Sequence, residues 1–187
     1  MATATDEKLR DAARTREEIL LAAQHIFAEK GFAETGVRDI TERAGVNQSL
    51  VSRYFGGKLK LFEAALEKAL DARLVTELTR ANFGRQVVEN FTLSPTGRTN
   101  PLPILLGAVS DSNASAIALR LLYDRVFEPF RDWFGGEEAE VRAARFMIIS
   151  TGFFTYRDQL PLPPFVGGVE PSLRAWLERE FQAIVDD

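Results

Sequence analysis

Apolar residues recur three and four positions apart through most of this 187-residue chain, and no stretch alternates apolar with polar residues between turn signals. The pattern predicts an all-α protein of about nine helices. Ile19, Ala22, Ala23, Ile26 and Phe27 form one face of a helix over 14–30, with Thr15 and Glu18 as its capping box and Gly31 as its stop. Thr35 is placed to cap a second helix that Gly45 breaks, and Asn47 to cap a third that ends near Phe55 before Gly56-Gly57. Lys58 opens a long fourth helix along Leu61, Phe62, Ala65, Leu66 and Ala69. All eight prolines fall at or after Pro95, so turns lengthen in the second half. Helices are expected over 83–91, 104–110, 115–134 with a kink at Pro129, 137–160, and 171–185, with a Pro/Gly loop over 93–103. The division this suggests is an N-terminal domain over 1–57 and a C-terminal helical domain over 58–187.

The stretch "VNQSLVSRYFGGK", residues 46–58, sorts by face. Gln48, Ser49, Ser52 and Arg53 share one side of the third helix, and Leu50, Val51, Tyr54 and Phe55 the other. Ile40 and Ala44 give the preceding helix its buried face, and Gly45 permits a tight turn. Two short helices joined in this way form a helix-turn-helix, and short polar side chains plus an arginine on the outer face of the second suit the major groove of DNA. On this reading Gln48, Ser49 and Arg53 reach base edges, Thr35, Tyr54 and Lys58 reach phosphates, and Asn47 and Ser52 complete the DNA-binding set. The net charge of −4 does not argue against it, because the charge is unevenly spread. Residues up to Lys60 carry ten Lys/Arg against nine Asp/Glu, and the remainder carries thirteen against eighteen. Between Gly45 and Lys60 stand Arg53, Lys58 and Lys60 with no acid.

"GFAETGVRDITERAGVNQSLVSRYFGGKLKLF", residues 31–62, resembles the DNA-binding region of the tetracycline-repressor (TetR) family, in the form common in actinobacteria. The resemblance runs from about Thr15 to Phe62. It departs from the family pattern at Ser49, at Ser52 and Arg53 in place of an aromatic pair, and at Thr41 between the helices. It implies a three-helix DNA-binding domain, a homodimer on palindromic double-stranded operator DNA, and a C-terminal domain that binds a small-molecule effector. The last two long helices would form the dimer interface, where the uncharged run "FMIISTGFFTY" calls for burial on every side. Ile148, Gly152, Trp176 and Phe181 are the expected interface residues. Phe83, Phe91, Tyr123, Phe127 and Phe153 are the expected lining of an apolar effector pocket. The fourth helix, running from Lys58 through Leu66 into the second domain, would connect the two.

Rival chemistries have little support. The absence of cysteine removes disulfides, thiolate metal sites and thiol catalysis together. His25, the only histidine, has no nucleophile or metal-ligand companion in sequence. Gly56-Gly57-Lys58 lacks the spacing and preceding strand of a phosphate-binding loop. Glu137-Glu138 suits a helix start electrostatically. No catalytic residue, metal or cofactor is therefore expected. With no apolar leader and no run long enough to span a membrane, the expected location is the cytoplasm. Two alternatives stay open: a DNA-binding or architectural module without a ligand, and an enzyme with a vestigial DNA-binding domain.

Overall fold

The computed structural model describes residues 4–92, 99–165 and 167–186. Among the described residues there are helices and turns but no strand. The α-helices are α1 (Ala4–Glu34), α2 (Val37–Ala44), α3 (Ser49–Phe55), α4 (Lys58–Ala69), the single turn α5 (Arg73–Thr76), α6 (Phe83–Thr92), α7 (Pro101–Leu106), α8 (Ser112–Leu122), α9 (Glu128–Phe134), α10 (Ala139–Phe154) and α11 (Pro171–Asp186). A π-helical turn, Tyr123–Phe127, joins α8 to α9. With that run taken as one helix and α5 set aside, nine remain, the expected number. Residues 93–98 of the expected Pro/Gly loop lie outside the described residues.

Several ends differ from expectation, each for a local reason. α1 begins at Ala4, not near Thr15, because residues 4–14 are strong helix formers whose Arg14 pairs with Asp11 and Glu18. α2 starts after Gly36, whose N–H donates to Asp39 Oδ2 at 2.8 Å, and Thr35 does not cap it. The kink expected at Pro129 is a π turn just before it. Proline has no N–H for the Arg125 carbonyl, and the Glu128 N–H reaches back to the Tyr123 oxygen.

The chain divides into two compact units, Met1–Leu70 with Thr99–Leu121, and Asp71–Arg98 with Leu122–Asp187. These units differ from a division after residue 57 in that all of α4 lies in the first, and the chain returns there for α7 and most of α8. In the first unit, α4 buries Leu61, Phe62, Ala65 and Leu66 against α1, whose Ile19, Ala23, Ile26 and Phe27 are also buried. Phe62 meets Phe27 and Phe32 edge-on at 5.2 and 5.1 Å between ring centres. Each such ring stabilises the unit by about 1.5–3 kcal/mol, far more than exposed ion pairs such as Lys68–Glu17.

The second unit is built on Phe146, which contacts the rings of Phe83, Phe91, Phe130, Phe134 and Phe181 at 4.8–6.2 Å. α6 and α11 approach so closely that a Cβ on Gly84 would lie 1.9 Å from the Glu178 carbonyl oxygen. Gln182 secures the contact, accepting from the Gly84 N–H and donating to the Arg80 oxygen. Gly84→Ala should therefore cost about 1–3 kcal/mol, seen as a fall in thermal midpoint. Gly152→Ala, whose Cβ meets nothing within 4 Å, should leave the midpoint unchanged or raise it.

Candidate nucleic-acid interface

Helices α2 and α3, of eight and seven residues, are placed by what lies beneath them. Ile40 is 0% exposed, Val51 1% and Phe55 7%. The Arg16 guanidinium of α1 stands 4.9 Å over the Phe55 ring, fixing the end of α3 from below. Thr41 is buried, but its hydroxyl donates to the Val37 and Arg38 carbonyls, so no unpaired group results. Gly45 turns the chain at φ 66°, ψ 31°, with its N–H on the Glu42 oxygen and the Val46 N–H on the Thr41 oxygen. An L-residue adopts that backbone only with strain, which is why glycine sits at the corner.

With the inner face spent, Asn47, Gln48, Ser49, Ser52 and Arg53 are all exposed on the outside, and Tyr54 is half-buried. Asn47 Oδ1 accepts from the Ser49 N–H at 2.9 Å, so its oxygen caps the start of α3. Arg53 lies 5.9 Å over the Tyr54 ring with its guanidinium toward solvent. These residues could meet base edges and phosphates together, since they share one exposed face of one rigid helix.

Two expected phosphate contacts sit elsewhere. Thr35 is 2% exposed, and its hydroxyl donates to the Gly31 oxygen at 2.6 Å; it joins α1 to the approach to α2 and has no free group to offer. Lys58 folds back, with its ammonium 4.3 Å over the Phe32 ring and at 3.5 Å from the Ala33 oxygen. Partial burial there lowers its pKa from the ordinary lysine value, opposed by the Asp111 carboxylate. Lys60, two residues on, is exposed. It was visible in the sequence only as part of a basic cluster; its exposure beside a turned-back Lys58 depends on packing.

Around α2 the charges are paired. Asp39 bridges Lys30 at 2.8 Å, and that bond, with the Gly36 N–H, holds its carboxyl below the usual value. Arg38 pairs with Glu42 and Arg43 with Glu29. Among the described residues, no group of three or more His, Asp or Glu could hold a metal, and no helix is long and apolar enough to cross a membrane. His25 is exposed.

The second unit distributes the other expected site residues unevenly. Ile148 is 72% exposed and Trp176 42%, and Gly152 has open space at its Cβ. Between α10 and α11 lies an open depression of about 300 Å³ lined by Arg145, Ile148, Ile149, Glu180, Ala183 and Ile184. Phe181 does not belong to this face. It is 0% exposed, with its ring against Phe91 and Phe146, and so is core of its own subunit. Phe83 and Phe153 are likewise buried, and Phe91 packs on Phe153 and Phe154 at 5.7 and 4.7 Å, so these three fill the core. Tyr123 and Phe127 differ: they stack at 5.5 Å on the π turn, with Tyr123 45% exposed.

Comparison with known proteins agrees with this arrangement. A repressor of the helix-turn-helix type from Mycobacterium tuberculosis is 48% identical over 62 residues, 33% of this chain and 30% of that protein. FasR, a helix-turn-helix-type transcriptional activator of Mycolicibacterium smegmatis, is 34% identical over 56 residues, 30% of this chain and 26% of its own. The similarity thus spans less than a third of these relatives' length. A TetR-family regulator of Streptomyces coelicolor superposes with a TM-score of 0.57 at 29% identity, covering 94% of this chain and 96% of that one. Residues 19–65 match the profile described as bacterial regulatory proteins, tetR family. Residues 81–185, more than half of the chain, match that of the tetracyclin repressor-like C-terminal domain. The two profiles divide between them the helix pair with its polar outer face and the aromatic-cored helices that follow, and the chain belongs to the TetR family.

Proposed function

We propose that this protein is a dimeric transcriptional repressor that binds palindromic operator DNA and is released by a small apolar or amphipathic effector. One observation carries the DNA-binding part: α3 presents Gln48, Ser49, Ser52 and Arg53 outward from a helix whose Val51 and Phe55 are buried. Repression is favoured over activation because the more similar of the two mycobacterial relatives is named a repressor.

Gln48, Ser49 and Arg53 discriminate sequence on this reading, and Tyr54 and Lys60 hold the backbone. Lys60→Ala should weaken binding to every duplex and lower the slope of log affinity against log salt by about 0.9. Gln48→Ala should narrow the gap between a duplex enriched from a random pool and random DNA, with little change in salt slope. Titrations at several salt concentrations check both, and equal losses on the two duplexes for Gln48→Ala would remove it from the reading face.

The exposed Ile148 and Trp176 and the half-buried Gly152 support a twofold interface between subunits on the α10–α11 side. Because a side chain at Gly152 meets nothing within its own subunit, Gly152→Arg should leave a folded chain that sediments as a monomer at micromolar concentration. A dimer that survives this substitution would place the interface on another face.

The π turn with Tyr123 and Phe127 supports an effector site, since such turns often mark functional positions. Compounds that raise the thermal midpoint of the wild-type chain should be apolar or amphipathic. They should weaken operator binding about 5–150-fold. Phe127→Ala should blunt that response and leave ligand-free operator binding nearly intact. A stabilising compound that leaves operator affinity unchanged is not the effector.

A further inference from the structure

Phe55, the last residue of α3, is nearly buried, but the Arg16 side chain over its ring is exposed. The charge on that guanidinium is uncompensated. Glu17 and Glu18, the two acids that follow it on α1, are engaged by Lys68 and Arg14. Among the described residues, Arg16 enters no ion pair and no hydrogen bond. Stacking occupies the flat face of a guanidinium and leaves its five N–H groups, which lie in the plane, for an acceptor outside the protein.

Two further cations without an ion pair or hydrogen bond stand at the same end of the helix. Arg53 is two residues before Phe55, with its guanidinium over the Tyr54 ring. Lys60 reaches back from α4, and its Cδ is 3.4 Å from the place a Cβ on Gly56 would take. Elsewhere in the first unit Arg14, Lys30, Arg38, Arg43, Lys68 and Arg120 are each paired with a carboxylate. Three helices thus bring unpaired positive charge to the end of α3. The turn there, Gly56-Gly57, has no side chain to hold a ligand off.

The length of α3 says which ligand fits. Seven residues of helix span about 10.5 Å, close to the ~12 Å width of the major groove. With Gln48 and Ser49 at the base edges, the far end of the helix emerges at the strand bordering the groove, and that strand presents phosphate.

We propose that Arg16 binds a backbone phosphate at the end of α3, on the strand that Lys60 also holds, while its plane keeps the Phe55 ring in position. The inference rests on the DNA-binding reading above and adds to it a contact from α1, outside the helix pair. A cation that only positions α3 and a cation that binds phosphate differ in one respect. Loss of the first weakens binding alike at every salt concentration. Loss of the second weakens it most at low salt, because fewer counterions are released.

Arg16→Met separates the two, since it keeps an unbranched stem over Phe55 and removes the charge. On a random-sequence duplex its slope of log affinity against log salt should be shallower by about 0.9 for each bound subunit. Its loss of affinity should accordingly be about three- to fourfold greater at about 50 mM salt than at about 200 mM, again for each bound subunit. Arg16→Lys, which retains a point charge, should keep the wild-type slope. A folded Arg16→Met with the wild-type slope overturns the proposal whatever its affinity. So does an Arg16→Lys whose slope falls as far as that of Arg16→Met. Should Arg16→Met fail to fold, the wild-type chain decides. The Nε–H resonance of Arg16 should then shift on titration with the duplex by more than that of Arg120, which pairs with Glu63. An Arg16 resonance that stays in place overturns the contact. If the wild-type chain binds no duplex at all, the DNA-binding reading itself fails, and the Arg16 contact with it.

Discussion

Helices of eight and seven residues are too short to persist in water by their own hydrogen bonds. The exposed polar face of α3 therefore exists only because Ile40, Val51 and Phe55 are buried. What buries them is a platform of α1 and α4 held together by Phe27, Phe32 and Phe62. The platform explains why the outer residues can be small and polar. Apart from the Asn47 cap at its start, they contribute little to holding α3 in place.

The same economy governs the polar atoms in the interior. Gln24 is 3% exposed, yet its amide oxygen and nitrogen are both engaged. Gln182 does the equivalent between α6 and α11. A leucine at either place would pack, but it would not distinguish one arrangement of neighbouring helices from another, because apolar contact has no direction. The two glutamines supply that direction, and Gln182 stands beside the close backbone contact of Gly84 with Glu178.

What the sequence made legible was local. The periodicity of Ile19 to Phe27, the break at Gly45 and the two faces of α3 are all properties of a few neighbouring residues, and the structure contains each. What it hid depends on distant partners. Thr35 looked like a helix cap because nothing near it shows that Gly31 would take its hydroxyl. Lys58 looked like a phosphate contact because its seat on Phe32 lies more than twenty positions away. In α11, Trp176 and Phe181 belong to one apolar stripe, and periodicity cannot say which edge turns inward. Only the ring of Phe146 on the facing helix decides it. Nor does any local signal show that α7 returns to pack beside α1.

That return has a consequence for synthesis. Thr99 meets Gln24 across a separation of 75 residues, so the first unit cannot complete its core until the segment ending at Leu121 has been made. A nascent chain that ends before residue 104 already carries α3 and its arginine, but not Ile104, Ala108 and Ala114, which are each 0% exposed in the finished unit. Contacts of such long range form late and slowly. Most of the chain must therefore leave the ribosome before the platform beneath α2 and α3 acquires its final shape.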